Sequence, residues 1–171
     1  MVPRPNPRKQ AVLCVGLLLV AGCGEEGGLS AERLIRGKGY AFSAPADWRV
    51  SRTGREVRVT SGLEVVSVTR FELARAVRPE LWAQVVKELD RAAESVATQQ
   101  RGEVTASQTA TIAGLQARRY DIRYEGDGTE LVQRIAFVLR GKTEYLLLCR
   151  YAGGGGDTRA CDRLLATFRL T

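Results

Sequence analysis

Leu115–Tyr151 reads LQARRYDIRYEGDGTELVQRIAFVLRGKTEYLLLCRY, three strand-like runs separated by two turn signals. In the first run Tyr120, Ile122 and Tyr124 alternate with Arg119, Asp121 and Arg123, the period-two pattern of a strand with one face buried. Glu125-Gly126-Asp127-Gly128 then carries the Asp-Gly signature of a tight hairpin. Glu130–Leu139 continues the alternation, and Gly141-Lys142 turns the chain into Thr143–Tyr151. Upstream, Glu103–Ile112 shows the same alternation and is set off by Ala113-Gly114. The region predicts a four-stranded antiparallel meander.

Working outward, Pro79–Ala97 changes period. Leu81, Trp82, Val85, Val86, Leu89, Ala92, Ala93 and Val96 fall at helical spacing and define one apolar stripe, with Pro79 suited to the first turn. This helix is expected to cover a sheet. Before it, Tyr40, Phe42 and Ala44 alternate within Gly39–Val50, Pro45-Ala46-Asp47 turns into Trp48, and Arg55–Thr60 and Leu63–Phe71 read as two more strands. After the meander, Gly153–Gly156 is a connector, and Asp157 or Thr158 is expected to cap a last helix whose apolar face is Ala160, Cys161, Leu164, Leu165 and Phe168. The fold class that follows is α+β: an antiparallel sheet of about six to seven strands flanked by a long central helix and a C-terminal helix.

The N-terminal segment follows a different logic. Arg4, Arg8 and Lys9 precede Ala11–Val20, an apolar run of ten residues, the make-up of a secretory signal and too short to span a bilayer, which takes about 20 residues. Val20-Ala21-Gly22-Cys23 closes the run and resembles the lipobox of bacterial lipoproteins. That resemblance implies a signal peptide over 1–22, diacylglyceryl lipidation of Cys23, acylation of the new amino terminus, and anchoring to the extracytoplasmic side of a membrane in the cell envelope. Residues 23–38 are then the lipidated cysteine and a tether, with Leu29–Arg36 expected as a short helix capped by Ser30, and 39–171 a single domain. From Tyr40, Phe42, Pro45 and Trp48 through to the Cys161–Phe168 helix, the order of elements resembles the Mog1/PsbP-like fold, which implies a non-catalytic accessory or binding role. A nuclear-transport-factor-like cone or a cystatin-like fold would give a similar mix of elements.

Composition narrows the chemistry. Of 26 basic residues three lie in the leader, leaving 23 against 19 acids and a net charge of +4 for residues 23–171. The arginines alternate with acids and read as solvated surface, not as a nucleic-acid stripe. The chain has no histidine, which removes the usual general base and metal ligand. No Ser-x-x-Lys pair replaces it, and Asp121, Glu130 and Glu144 fall on polar strand faces where solvated charge is expected. Glu125 with Asp127 and Glu130 lacks calcium-loop spacing, and Gly153–Thr158 lacks a phosphate-loop ending, with Asp157 opposing an anion.

With Cys23 lipidated and Cys14 lost in the leader, Cys149 and Cys161 remain as a pair, expected as a structural disulfide. Cys149 shares a strand face with Tyr145, Leu147 and Tyr151, and Cys161 lies on the apolar stripe of the last helix. The expectation is therefore a non-enzymatic module without cofactor, held at a membrane by its lipid anchor, with an envelope protein as partner and no nucleic acid. The competing expectation is a small-ligand carrier with a pocket between sheet and helices, lined by Trp82 and Tyr120.

Overall fold

The structure is a computed structural model that describes residues 31–171. The expected signal peptide, Cys23 and the start of the expected tether lie outside the described residues. Ten strands and two helices follow in the order β1 Glu32–Gly37, β2 Tyr40–Pro45, β3 Arg49–Thr53, β4 Glu56–Ser61, β5 Glu64–Glu72, α1 Trp82–Gln99, β6 Glu103–Ile112, β7 Leu115–Gly126, β8 Thr129–Arg140, β9 Thr143–Ala152, α2 Arg159–Thr167 and β10 Arg169–Leu170. A 3₁₀ turn, Pro79–Leu81, leads into α1.

All strand pairs are antiparallel. The seven-stranded sheet has the order β3-β4-β5-β9-β8-β7-β6, and a three-stranded sheet has the order β1-β2-β10. The meander β6–β9 is as the sequence predicts. Its first turn, Ala113-Gly114, and its second, Asp127-Gly128, both place two consecutive residues at positive φ (53° and 73°; 51° and 71°), the backbone of a two-residue hairpin loop that matches strand twist. The early strands join this meander through β5 and β9, with Val66 opposite Cys149 and Val68 opposite Leu147.

Alternation sorts the apolar residues onto two faces. One face of the large sheet presents Val59, Val66, Val68, Val138, Leu147 and Cys149 to β2 and to α2 with its C-cap residue, which contribute Tyr40, Phe42, Leu164 and Phe168. The opposite face presents Tyr120, Ile122, Ile135 and Phe137 to Leu89, Ala93 and Ala97 of α1. The molecule is thus three layers deep: the small sheet with α2, the large sheet, and α1. On α1 the buried positions are Leu89, Ala93 and Ala97, while Leu81 and Ala92 of the expected stripe are exposed.

Residues 32–36, expected within the Leu29–Arg36 helix, form β1 together with Gly37 instead. A helix this short is marginal by itself, whereas β2 offers an edge along which Ile35 pairs with Phe42 and is buried. The domain therefore begins at or before Glu32, seven residues earlier than expected. After the turn into Trp48, Arg49–Thr53 forms an edge strand of its own, β3, and β10 adds a short pairing on the other side of β2. The cap of α2 also differs in detail. Thr158 occupies the N-cap position, but its hydroxyl bonds Asp162, and Asp157 Oδ1 accepts the Arg159 N–H at 2.9 Å.

Candidate functional site

The two ends of the large sheet differ in charge. At the end where β1 begins, a small cleft of about 120 Å³ lies between Glu32, Trp48, Glu64, Asp157, Arg159 and Arg163. Its charges are largely matched internally: Arg163 Nη2 lies 2.6 Å from Glu32 Oε1, and Arg159 Nη2 lies 2.7 Å from Asp157 Oδ2. Burial, with Asp157 nearby, raises the Glu64 carboxyl above its usual range.

The opposite end is different. Three segments converge there: the turn from β1 into β2, the turn from β3 into β4, and the last residues of β5. Between them is a cleft of about 550 Å³ lined by five cations, Arg36, Lys38, Arg52, Arg55 and Arg70, and two carboxylates, Glu56 and Glu72. Glu72 pairs with Arg70 at 3.0 Å, and Arg70 holds its carboxyl below the usual range with smaller contributions from Lys38 and Arg55. Glu56 turns to Arg58 at 2.9 Å. Arg36, Lys38, Arg52 and Arg55 have no carboxylate within ion-pair distance among the described residues.

Two of these cations are positioned by other contacts. Arg52 Nη1 donates to the Arg36 carbonyl at 2.6 Å, tying β3 to the end of β1, and the Arg55 guanidinium lies 5.3 Å from the Phe71 ring centre. The base of the cleft is Tyr40, whose hydroxyl donates to the Val68 carbonyl at 3.0 Å. Burial pushes this phenol up to about 12. Gly37 lies against the Tyr40 ring, and a Cβ there would come within 2.1 Å of Cζ. The glycine lets the cationic turn fold down onto the phenol.

The residues singled out from sequence are distributed as follows. Cys149 and Cys161 are bonded, with Cα atoms 5.4 Å apart, so the strand face bearing Cys149 does look toward α2. After the glycine run, Asp157 Oδ1 accepts the Arg159 N–H at the start of α2. Asp127 is a turn residue. Glu130 lies in a loose pair with Arg123 at 3.8 Å. Two other acids are not the solvated charges expected. Asp121 is half-buried and receives Arg134 Nε at 2.7 Å and Nη2 at 2.8 Å, and Arg134 also reaches Asp162 of α2 at 3.5 Å. Burial raises the Glu144 carboxyl. Tyr120 is not a pocket wall: it is 2% exposed, packed against Phe137, and donates to Asp90 Oδ1 at 2.6 Å. Arg118 bonds the same oxygen at 3.1 Å, so this trio pins α1 to β7. Trp82 lines none of the clefts described here.

The basic cleft itself escapes a linear reading because its cations come from segments up to 34 residues apart, Arg36 to Arg70. A faint signal exists. Basic residues flank two successive glycine turns, Arg36-Gly37-Lys38 and Arg52-Thr53-Gly54-Arg55, and in antiparallel pairing turns of the same sense gather at one end.

No family profile and no curated protein matches the chain. Solved structures do. The cyanobacterial PsbP of Synechocystis superposes with a TM-score of 0.60 at 15% identity, over 89% of this chain and 99% of that one. The fold is PsbP-like. LpqN of Mycobacterium tuberculosis, described as involved in cell envelope biogenesis, shares the PsbP-like arrangement with a TM-score of 0.52 at 13% identity, over 82% of this chain and 91% of that one. A Bacteroides thetaiotaomicron protein gives 0.58 at 12% identity over 82% of this chain, which spans about half, 48%, of that longer protein. At these identities what is shared is the fold.

Proposed function

We propose that this protein is an exported, lipid-anchored accessory module of the bacterial cell envelope that binds and does not catalyse. The observation that carries this reading is the sequence Val20-Ala21-Gly22-Cys23 at the end of a short apolar run, standing eight residues before the first strand of a PsbP-like domain. Three further observations support it. The Cys149–Cys161 disulfide suits an oxidising compartment. Among the described residues no helix is long and apolar enough to cross a membrane, so attachment would fall to the acyl chains on Cys23, and stable attachment takes more than one chain. LpqN, of the same fold, is involved in cell envelope biogenesis.

The site chemistry favours binding over catalysis. Guanidinium and ammonium groups donate hydrogen bonds and stay charged at neutral pH, so a cleft of arginines and a lysine holds and orients an anion without taking up its proton. This same concave, cation-lined cleft favours a small-ligand carrier over a flat protein-docking surface, although it lies at the sheet end and not between sheet and helices.

The test of the anchor is Cys23→Ala in the native envelope, read by membrane fractionation and by incorporation of labelled palmitate. Loss of label and release from the membrane are expected. Unchanged membrane association with unchanged migration would overturn the reading.

A further inference from the structure

We infer that the cleft between the β1–β2 and β3–β4 turns is a binding site for an anion carrying two or more phosphate groups. The inference rests on the binding-module reading and not on the anchor.

The first argument is charge count. Arg36, Lys38, Arg52 and Arg55 stand around one opening without carboxylate partners among the described residues, and the acids beside them are already engaged by Arg58 and Arg70. Like charges gathered at a concave surface raise the local potential and concentrate counter-ions. A phosphomonoester carries about −1.5 to −2 at neutral pH, so two such groups supply the charge that four free cations require. A single carboxylate supplies about a quarter of it.

The second argument is preorganisation. The bond from Arg52 Nη1 to the Arg36 carbonyl and the placement of Arg55 over Phe71 hold two guanidinium planes at the rim. Arg52 Nε and Nη2 donate to no partner among the described residues, which leaves the fork that matches a phosphate in two-point contact. The tight seat of Gly37 on Tyr40 brings the Lys38 turn to the same opening. At about 550 Å³ the cleft suits a diphosphate with part of its substituent.

Two sources present this chemistry: a soluble diphosphate or bisphosphate, and a lipid headgroup with two phosphates. The cleft lies at the far end of β1 from Glu32, where the tether joins the domain. The eight residues from Gly24 to Ala31 reach about 28 Å when extended, so either end of the domain can approach a membrane.

The experiment titrates the full chain with inorganic pyrophosphate by calorimetry, and in parallel measures flotation with vesicles of phosphatidylcholine alone or with cardiolipin. Any acyl anchor contributes equally to both vesicle types, so an excess on cardiolipin reports the cleft. Expected is pyrophosphate binding that weakens as salt rises and falls roughly tenfold in Arg36→Gln/Arg52→Gln. Lys38→Gln/Arg55→Gln removes the other two cations and serves if the first double variant fails to fold; Arg91→Gln on α1 leaves binding unchanged. Pyrophosphate binding without a cardiolipin excess supports the soluble source, and a cardiolipin excess abolished by the double variants supports the headgroup. Absence of both, binding undiminished in the double variants, or tighter binding of an acidic peptide than of pyrophosphate overturns the inference. Loss of pyrophosphate binding leaves the anchor intact, and loss of the anchor leaves pyrophosphate binding intact.

Discussion

Breaking the Cys149–Cys161 bond is the perturbation whose size follows most directly from the structure. The bond joins the middle of β9 to the first turn of α2 across 12 residues of sequence, and both cysteines are nearly inaccessible, at 1% and 2%. In the chain-entropy treatment a cross-link over this length restricts the unfolded chain by about 3 kcal/mol at room temperature. Reduction removes that restriction and leaves the sulfurs in place. The double variant Cys149→Ala/Cys161→Ala also removes two buried sulfurs, which adds about 1 kcal/mol or more for the space left behind. Helix α2 has other attachments: Leu164 and Phe168 are buried, and the Ser43 N–H donates to Thr167 Oγ1 at 2.8 Å. The protein is therefore expected to stay folded but weakened. Urea unfolding followed by the fluorescence of Trp48 and Trp82, with and without reductant, should show a loss of about 3 kcal/mol on reduction and about 4 kcal/mol or more in the alanine variant. Thermal midpoints should fall by roughly 6 to 12 °C for the reduced protein. Alkylation of both Cys149 and Cys161 before reduction would refute the reasoning, as would a reduced protein within about 0.5 kcal/mol of the oxidised one.

Four further outcomes are expected. Arg101 closes α1 with φ 55° in a Schellman arrangement, its N–H donating to Thr98 and that of Gly102 to Ala97; Arg101→Gly should raise stability by about 1 kcal/mol in urea titration. Gly102→Ala should lower it, because a Cβ there meets the Arg123 carbonyl at 2.2 Å. The buried Tyr40 holds its proton more tightly folded, near 12, than unfolded, near 10, so its contribution is intact below about pH 10 and is lost as pH rises toward about 12; urea midpoints should decline over that window, and less steeply in Tyr40→Phe. Asp121→Asn leaves the half-buried Arg134 guanidinium without its two-point partner, and should cost about 2 to 3 kcal/mol in the same assay; a double-mutant cycle with Arg134→Gln should show strong coupling between the two sites.

Much of the architecture was legible because period-two alternation and turn chemistry are local. The meander from Glu103 to Tyr151 follows from residues that touch their sequence neighbours, and the faces of Cys149 and Cys161 follow from counting along a strand and a helix. The strands β1, β3 and β10 were less legible. Each is short or sits at an edge, with few buried side chains, and becomes a strand because β2 or β4 offers it backbone partners. Asp121 was misread for a related reason: its exposure depends on Arg134 one strand away and on α2 above it, and neither is visible in the alternation of β7.

By itself, then, the sequence determined the meander from Glu103 to Tyr151, the two helices, the α+β class and the lipobox-like signature at Cys23, since each depends on spacing within one segment, and it left Cys149 and Cys161 as the cysteines to pair. Only the tertiary structure decided that β5 joins β9, that Tyr120 is packed core, and that Arg36, Lys38, Arg52 and Arg55 share one opening. The physical reason is distance. Burial patterns act over a few residues and are written along the chain, whereas charge acts through space, and four cations become a site only when separate turns are folded to the same end of a sheet.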